Sequence, residues 1–212
     1  MILFFATILL VSAGRIDWLW GWLLAGIYAV SIIINAVIMF RVNPTTIAER
    51  ANAAEMKSWD KVIGRGWGLM YFVVTPLVAG LDVRYGWTVS QTLGLHLAGM
   101  LGFILGWVLF SWAMISNTYF AMVARVQSDR GHTVCTRGPY RHVRHPGYLG
   151  AIIQCVSLPL LLGSLWALIP GGIAVIFMIV RTMWEDRMLQ IELVGYLEYM
   201  EWVRYRLLPR VW

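Results

Sequence analysis

Six apolar runs, separated by short polar segments rich in arginine and lysine, constrain this chain more than any other feature. They extend over about 1–13, 18–40, 67–81, 93–115, 148–162 and 165–180. With 59% hydrophobic and 13% charged residues, against about 25% charged in an ordinary soluble domain, the chain reads as an all-α integral membrane protein. Only the second and fourth runs reach the roughly 20 residues that cross a hydrocarbon core of about 30 Å. The expected count is about six transmembrane helices, or five if the first run lies in the interface. That first run begins apolar without a basic leader, so it reads as a span rather than a cleaved signal. Only Gly163-Ser164 separates the last two runs, which should form a short helical hairpin bent or ended at Pro159 and Pro170-Gly171-Gly172.

The net charge of +6 would suit nucleic acid, but the basic residues are sorted rather than scattered. Arg41, Arg50, Lys57, Lys61 and Arg65 fall in one polar segment. Arg125, Arg130, Arg137, Arg141 and Arg144 fall in a second, and Arg181, Arg187, Arg204, Arg206 and Arg210 in the tail. Only Arg15 and Arg84 lie elsewhere. Fifteen against two is the positive-inside pattern, which places the three segments in the cytoplasm and accounts for the charge without a nucleic-acid partner. The tryptophans 18, 20, 22, 87 and 166 then mark the outer interface and 67 and 184 the inner one. The stretch 43–61 reads as a short amphipathic surface helix or a solvated connector. Cys135 and Cys155 are too few for a disulfide framework or a zinc signature.

The stretch from His132 to Gly150 is polar, holds three histidines, and runs directly into an apolar run. Pro139 and Pro146 bias Gly138 and His145 away from helical angles, so an irregular loop with unpaired backbone groups is expected there. Metal binding by His132, His142 and His145 is disfavoured, because a proline follows His145 and no carboxylate completes the set. Composition alone favours reading Arg137, Arg141 and Arg144 as a patch for anionic headgroups, at about 1 kcal/mol each.

Gly138-Pro-Tyr-Arg-His-Val-Arg-His-Pro-Gly-Tyr-Leu-Gly150 resembles the G-x-Y-x3-R-H-P-x-Y-x-G motif of the isoprenylcysteine carboxyl methyltransferase and phospholipid methyltransferase superfamily. A second block, Arg181-Thr-Met-Trp-Glu-Asp-Arg-Met-Leu189, followed by Gly195-Tyr-Leu-Glu-Tyr199 and Val203-Arg-Tyr-Arg-Leu-Leu-Pro209, is similar to that family's acidic motif and tail. The resemblance covers roughly residues 127–212 and implies a division into N-terminal transmembrane helices, 1–124, and a cofactor-binding methyltransferase region, 125–212, with a cytosolic C-terminal helical cap. It implies S-adenosylmethionine as cofactor. By the same resemblance His132, Thr133, Val134 and Cys135 line the adenosyl pocket, and Tyr140, Arg144, His145, Pro146, Gly147 and Tyr148 continue it. Glu185 takes a polar group of the cofactor, and Gln127 answers to a further family glutamine at a shorter spacing from His132. Asp186 stands where the family repeats glutamate.

Arg181 matches the family position that faces the acceptor. An ionisable group at the end of an apolar span needs a partner, and a guanidinium suits a carboxylate. The plainer reading is a basic anchor paired with Glu185 at i,i+4. The implied activity is methyl transfer to a lipophilic small-molecule or prenylated acceptor drawn from the membrane lipid, best a prenylcysteine-like carboxylate, which needs no metal and no base. A phospholipid amine or a small thiol is the alternative within the class. Sterol reductases, which resemble this C-terminal half but bind NADPH, and a non-enzymatic lipid-binding protein are the alternatives outside it. His96, inside the fourth run, reads as a neutral histidine bonded to a neighbour, and Met100, Met114 and Met122 read as packing.

The charge distribution predicts that Arg130→Cys, in a background lacking Cys135 and Cys155, resists an impermeant thiol reagent applied outside intact cells. Rapid labelling there would overturn the orientation.

Overall fold

The computed structural model describes residues 2–42, 56–89 and 92–212, and among them every regular element is helical. In chain order these are α1 (Ile2–Ala13), α2 (Leu19–Val42), α3 (Ser58–Leu69), α4 (Thr75–Tyr85), α5 (Leu93–Ser116), α6 (Pro146–Leu162), α7 (Leu168–Glu192) and α8 (Tyr196–Trp202). The amphipathic segment expected over 43–61 falls largely on residues 43–55, outside the described residues; its end forms the first turn of α3.

Among the described residues four helices are long and apolar enough to cross a membrane: α2, α5, α7 and the continuous stretch Ser58–Tyr85 that joins α3 to α4. The third and sixth apolar runs are therefore longer as helices than as hydrophobic segments. Backbone hydrogen bonding continues into the polar flanks, giving 28 residues in Ser58–Tyr85 and 25 in α7. Between α3 and α4 the helix widens into a π turn at Met70–Val74. Pro76 lies just beyond it, and the Met70 carbonyl accepts both the Thr75 backbone N–H and, at 2.8 Å, the Thr75 hydroxyl.

Two apolar helices, α1 and α6, are shorter, at 12 and 17 residues. α6 tolerates its length because it is wrapped by the others: Gly150, Gln154, Cys155, Ser157, Leu158 and Leu161 are all buried. Leu158, Leu161 and Leu162 share one apolar cluster with Phe5, Leu9, Leu24, Tyr71, Phe103 and Ala174, so residues on both sides of position 124 form a single core.

The contact between α5 and α6 depends on glycine. A Cβ on Gly106 would stand 2.7 Å from the Gly150 carbonyl oxygen, and one on Gly150 would stand 2.5 Å from the Gly106 carbonyl oxygen and 2.8 Å from the Phe110 nitrogen. Such close backbone approach is how helices associate where lipid removes the hydrophobic drive between them. α6 ends in a Schellman turn, with Gly163 at φ +78 and bonds from Gly163 to Leu160 and from Ser164 to Pro159. Pro159 leaves the Cys155 carbonyl without its helical donor, and Gly171 of α7 packs against that oxygen.

The polar contacts sort to two ends of the bundle. At one end Asp82 accepts from Thr88 and, at 2.5 Å, from Ser164, while Trp87 lies edge-on to Trp166. His96 is here too, stacked on Trp20 and with Nδ1 2.8 Å from the Leu161 carbonyl. Its role is structural, as is that of the fully buried Met114. Trp67 departs from the interfacial expectation: it stacks on Tyr71 and packs against the core. At the opposite end Lys57 pairs with Glu192, Asp60 with Arg181 and Arg144 with Asp186, so the three basic segments meet on one side of the molecule.

Gly150→Val should force α5 and α6 apart and destabilise the protein by about 1–3 kcal/mol, the usual cost of overpacking. Thermal unfolding in detergent reads this, and an unchanged midpoint would show that the contact can relax.

Candidate active site

The loop between α5 and α6 is irregular apart from single turns at Ser128–Arg130 and Gly138–Arg141, and it is fastened at both ends. Gly138 adopts φ +55, and a Cβ there would strike the Ser116 hydroxyl at 2.2 Å. His145, at φ −126 and ψ 59, is held outside the helical region, and Pro146 opens α6 at a position whose N–H would have no helical partner.

A cavity of about 750 Å³, counted with its open mouth, lies between this loop, the start of α6, the end of α7 and the C-terminal cap. Only about 100 Å³ of it is free interior, and the rest includes open solvent. The loop brings His132, Val134, Cys135, Tyr140, Arg144 and His145 to its wall, and the helices bring Gly147, Tyr148 and Glu185. Four expected residues do not line it. The Thr133 side chain is exposed, and Pro146 is buried at the head of α6. Gln127 turns inward, donating from Nε2 to the Tyr119 carbonyl at 2.8 Å and accepting from Arg130 at 2.6 Å. Arg181 is drawn aside by Asp60.

The remaining wall comes from residues to which the sequence assigned no place in the site. Asn117, Tyr119, Phe120, Ala121, Val123 and Arg125 follow α5 and look like the frayed end of an apolar run. Leu189, Leu193, Tyr196 and Tyr199 close the cavity from α7 and α8. Tyr196 and Tyr199 pack with Leu193 and Val203 in a second apolar cluster that includes Val134 of the loop. Tyr199 donates to the Tyr140 carbonyl at 2.7 Å, tying cap to loop, and burial raises the phenol pKa of both tyrosines. His132 stacks on Tyr119, and its Nδ1 accepts from the Gln127 amide at 3.2 Å. Burial, and then the charges of Arg130 and Arg125, push its pKa down to about 4, so the ring is neutral at physiological pH.

Asp186 is the hub of this end of the molecule. Its carboxylate, with no exposed surface, meets Arg144 Nε at 2.9 Å and Nη2 at 3.2 Å, Arg206 Nε at 2.9 Å and His145 Nε2 at 3.1 Å. The Tyr196 hydroxyl and the Gln190 amide donate to it at 2.9 Å each. Arg144 Nη1 continues to the carbonyls of Val203 and Arg204, and the Arg144 and His145 amides bond to Tyr205 and Arg206. Arg144 and His145 thus touch the cavity, but their polar groups bind loop, helix and tail together.

Glu185, one residue earlier, faces the cavity half-buried and accepts a short hydrogen bond from the Tyr148 hydroxyl. Tyr148 stacks parallel to His145, with centroids 5.7 Å apart. The guanidinium of Arg181 lies 5.3 Å from the Tyr148 ring centroid. Arg181 does not take the i,i+4 pairing with Glu185. Its Nε is 2.8 Å from Asp60 Oδ1, and its Nη2 donates to Asp60 Oδ2 at 3.0 Å and to the Met122 carbonyl at 2.7 Å. Among the described residues no three His, Cys, Asp or Glu side chains converge as a metal site.

Residues 97–191 match the model of the Isoprenylcysteine carboxyl methyltransferase (ICMT) family. This region of the chain belongs to that family. The ICMT match spans most of α5, the whole loop, the hairpin and all but the last residue of α7, and so contains Arg144, His145, Tyr148, Arg181, Glu185 and Asp186. It implies a methyltransferase, and the apolar helices fit a multi-pass membrane protein. Methyltransferases of the ICMT family generally use S-adenosylmethionine. No curated protein matches the chain.

Asp186→Ala should destabilise the protein by about 3–5 kcal/mol, because it strands the buried Arg144 charge. Asp186→Glu should recover part of the loss. Chemical unfolding in detergent reads both, and an Asp186→Ala variant of wild-type stability would remove Asp186 as the hub.

Proposed function

We propose that this protein is an S-adenosylmethionine-dependent methyltransferase with its active site on the cytosolic side of the membrane. Its acceptor would be lipophilic, best a prenylcysteine-like carboxylate. The observation that carries this reading is the cavity itself, which has Glu185 and Tyr148 on its wall and the guanidinium of Arg181 over the ring of that tyrosine.

The cavity suits the cofactor by its chemistry. Tyr119, Phe120, Tyr140 and Tyr199 offer flat apolar surface for a base, and the half-buried Glu185 carboxylate offers an acceptor for hydroxyl or ammonium groups. His132, Val134, Cys135 and Gly147 would complete the nucleoside side. When bound, S-adenosylmethionine supplies a methyl group already activated by its sulfonium charge. The protein then needs to align and to exclude water, more than to add a base or a metal.

Each residue has a distinct task in this reading. Glu185 holds the donor, and Tyr148 fixes the Glu185 carboxylate through its hydroxyl. Tyr196 and Tyr199, clamped over the loop, keep water out. Arg181 holds the acceptor carboxylate through Nη1, the amino group that its contacts with Asp60 and Met122 do not use. An ionised carboxylate has no proton to lose, which favours it over an amine or thiol acceptor at a site without an evident base. The long apolar helices would give a lipophilic acceptor its route, and the polar end of the bundle would admit the water-soluble donor.

Glu185→Ala should weaken binding of S-adenosylhomocysteine by about 1.5–3 kcal/mol, the range for a hydrogen bond to a charged group. Arg181→Lys keeps the charge but loses the guanidinium geometry, so methyl transfer to a prenylcysteine analogue should fall about ten-fold or more with little change in that affinity. Calorimetry against S-adenosylhomocysteine and NADPH, with turnover measured on the same preparations, decides between the readings. Binding of NADPH alone would indicate a reductase-like protein, and binding of neither a non-enzymatic one.

A further inference from the structure

The residues matched by the family model begin at 97, yet the guanidinium of Arg181 is held from residue 60. Asp60 lies in the first turn of α3 and is 3% exposed. Its Oδ2 accepts from Arg181 Nη2 at 3.0 Å and from the Ala124 amide at 2.7 Å, and its Oδ1 stands 2.8 Å from Arg181 Nε. One carboxylate therefore fixes both the arginine and the end of the cavity wall that runs from Asn117 to Arg125. The carboxylate is itself anchored. Trp59 packs edge-on against Trp184 at 5.5 Å, and Lys57 pairs with Glu192 at 2.7 Å, so the start of α3 is docked along α7.

We propose that Asp60 is a positioning residue for methyl transfer, clasping the Nε–Nη2 edge of Arg181 so that Nη1 is the group an acceptor meets. This rests on the reading of Arg181 as the acceptor-facing residue. A long arginine side chain has several rotamers of similar energy, and a buried carboxylate that engages two of its nitrogens removes that freedom before substrate arrives. Without the clasp the same charge is present but not aimed. Asp60 touches neither donor nor acceptor in this scheme and does not line the cavity. Its effect passes through Arg181, and through Arg181 to the Tyr148 ring and the carboxylate that Tyr148 holds.

The test compares full-length wild type, Asp60→Asn, Asp60→Glu, Arg181→Lys and the Asp60→Asn/Arg181→Lys double variant, all purified in detergent. Three quantities are measured: kcat and KM with a prenylcysteine analogue, affinity for S-adenosylhomocysteine by calorimetry, and the thermal midpoint. Asp60→Asn should lower kcat by about ten-fold or more while cofactor-product affinity stays within about two-fold. Asp60→Glu should recover part of that loss. The double variant should be no slower than Arg181→Lys alone, since both changes act through one guanidinium. Losses that multiply in the double variant overturn the proposal, as does a collapse of cofactor-product affinity in parallel with turnover, because Asp60 then serves only the cavity wall. If Asp60→Asn does not fold, Asp60→Glu decides: a loss confined to kcat supports positioning, and wild-type kcat overturns it. An active wild type with an equally active Asp60→Asn refutes this inference alone. Wild-type protein that binds S-adenosylhomocysteine but methylates no prenylcysteine analogue refutes the acceptor reading beneath it.

Discussion

An ionised carboxylate removed from water loses several kcal/mol of solvation, and it stays ionised only where hydrogen bonds and opposite charges replace what water supplied. Asp186 meets that condition with two guanidinium groups, an imidazole, a phenol and an amide. Much of this polar end of the bundle follows from this one group. The loop from Gly138 to His145 has little secondary structure of its own, and the tail after Val203 has almost none. Both acquire definite positions because Arg144 and Arg206 converge on the same two oxygens and because their backbones then pair. The cavity has a fixed shape for the same reason: Tyr196 and Tyr199 cannot close over the loop unless the loop is tied to α7.

The neighbouring acidic position has the opposite character. Glu185 lies on the face of α7 that opens to the cavity and makes its bond to Tyr148 from a half-buried site. Two adjacent carboxylates on one helix project about 100° apart, so the pair divides into a structural member and a site member by helical geometry alone. The short α6 takes part in this division. Gly106 and Gly150 let it sit at backbone contact with α5, and that depth puts Gly147 and Tyr148 at the cavity wall.

A bundle with apolar flanks and a polar pocket at one end suits a reaction between partners of unlike solubility. In the proposed scheme the water-soluble donor would reach the pocket from the polar end and the lipophilic acceptor from between the helices. In the proposed scheme the two halves of the chain meet at the Asp60–Arg181 pair, which joins the N-terminal helices to the motif-bearing region and places the acceptor group from outside the family match.

The helical class, the apolar runs and the shared side of the basic segments were legible because lipid forces backbone hydrogen bonds to close within each helix and leaves a long hydrophobic trace. The loop was legible as irregular from Pro139 and Pro146, and its family from the spacing around Arg144 and His145. Helix ends were not, since hydrogen bonding carried Ser58–Tyr85 and α7 well beyond their apolar runs. Nor were the partners of charged groups. Arg181 had a carboxylate one turn away on its own helix, and only the docking of α3 brought Asp60 closer. Asp186 looked like a minor departure from a repeated glutamate and became the hub once loop, helix and tail converged on it. The sequence by itself determined which segments are helical, which end is polar and which motif it carries, because those depend on neighbours along the chain. Tertiary structure alone decided which charge meets which and which side chains face the cavity, because those charge contacts join residues from 20 to 135 positions apart.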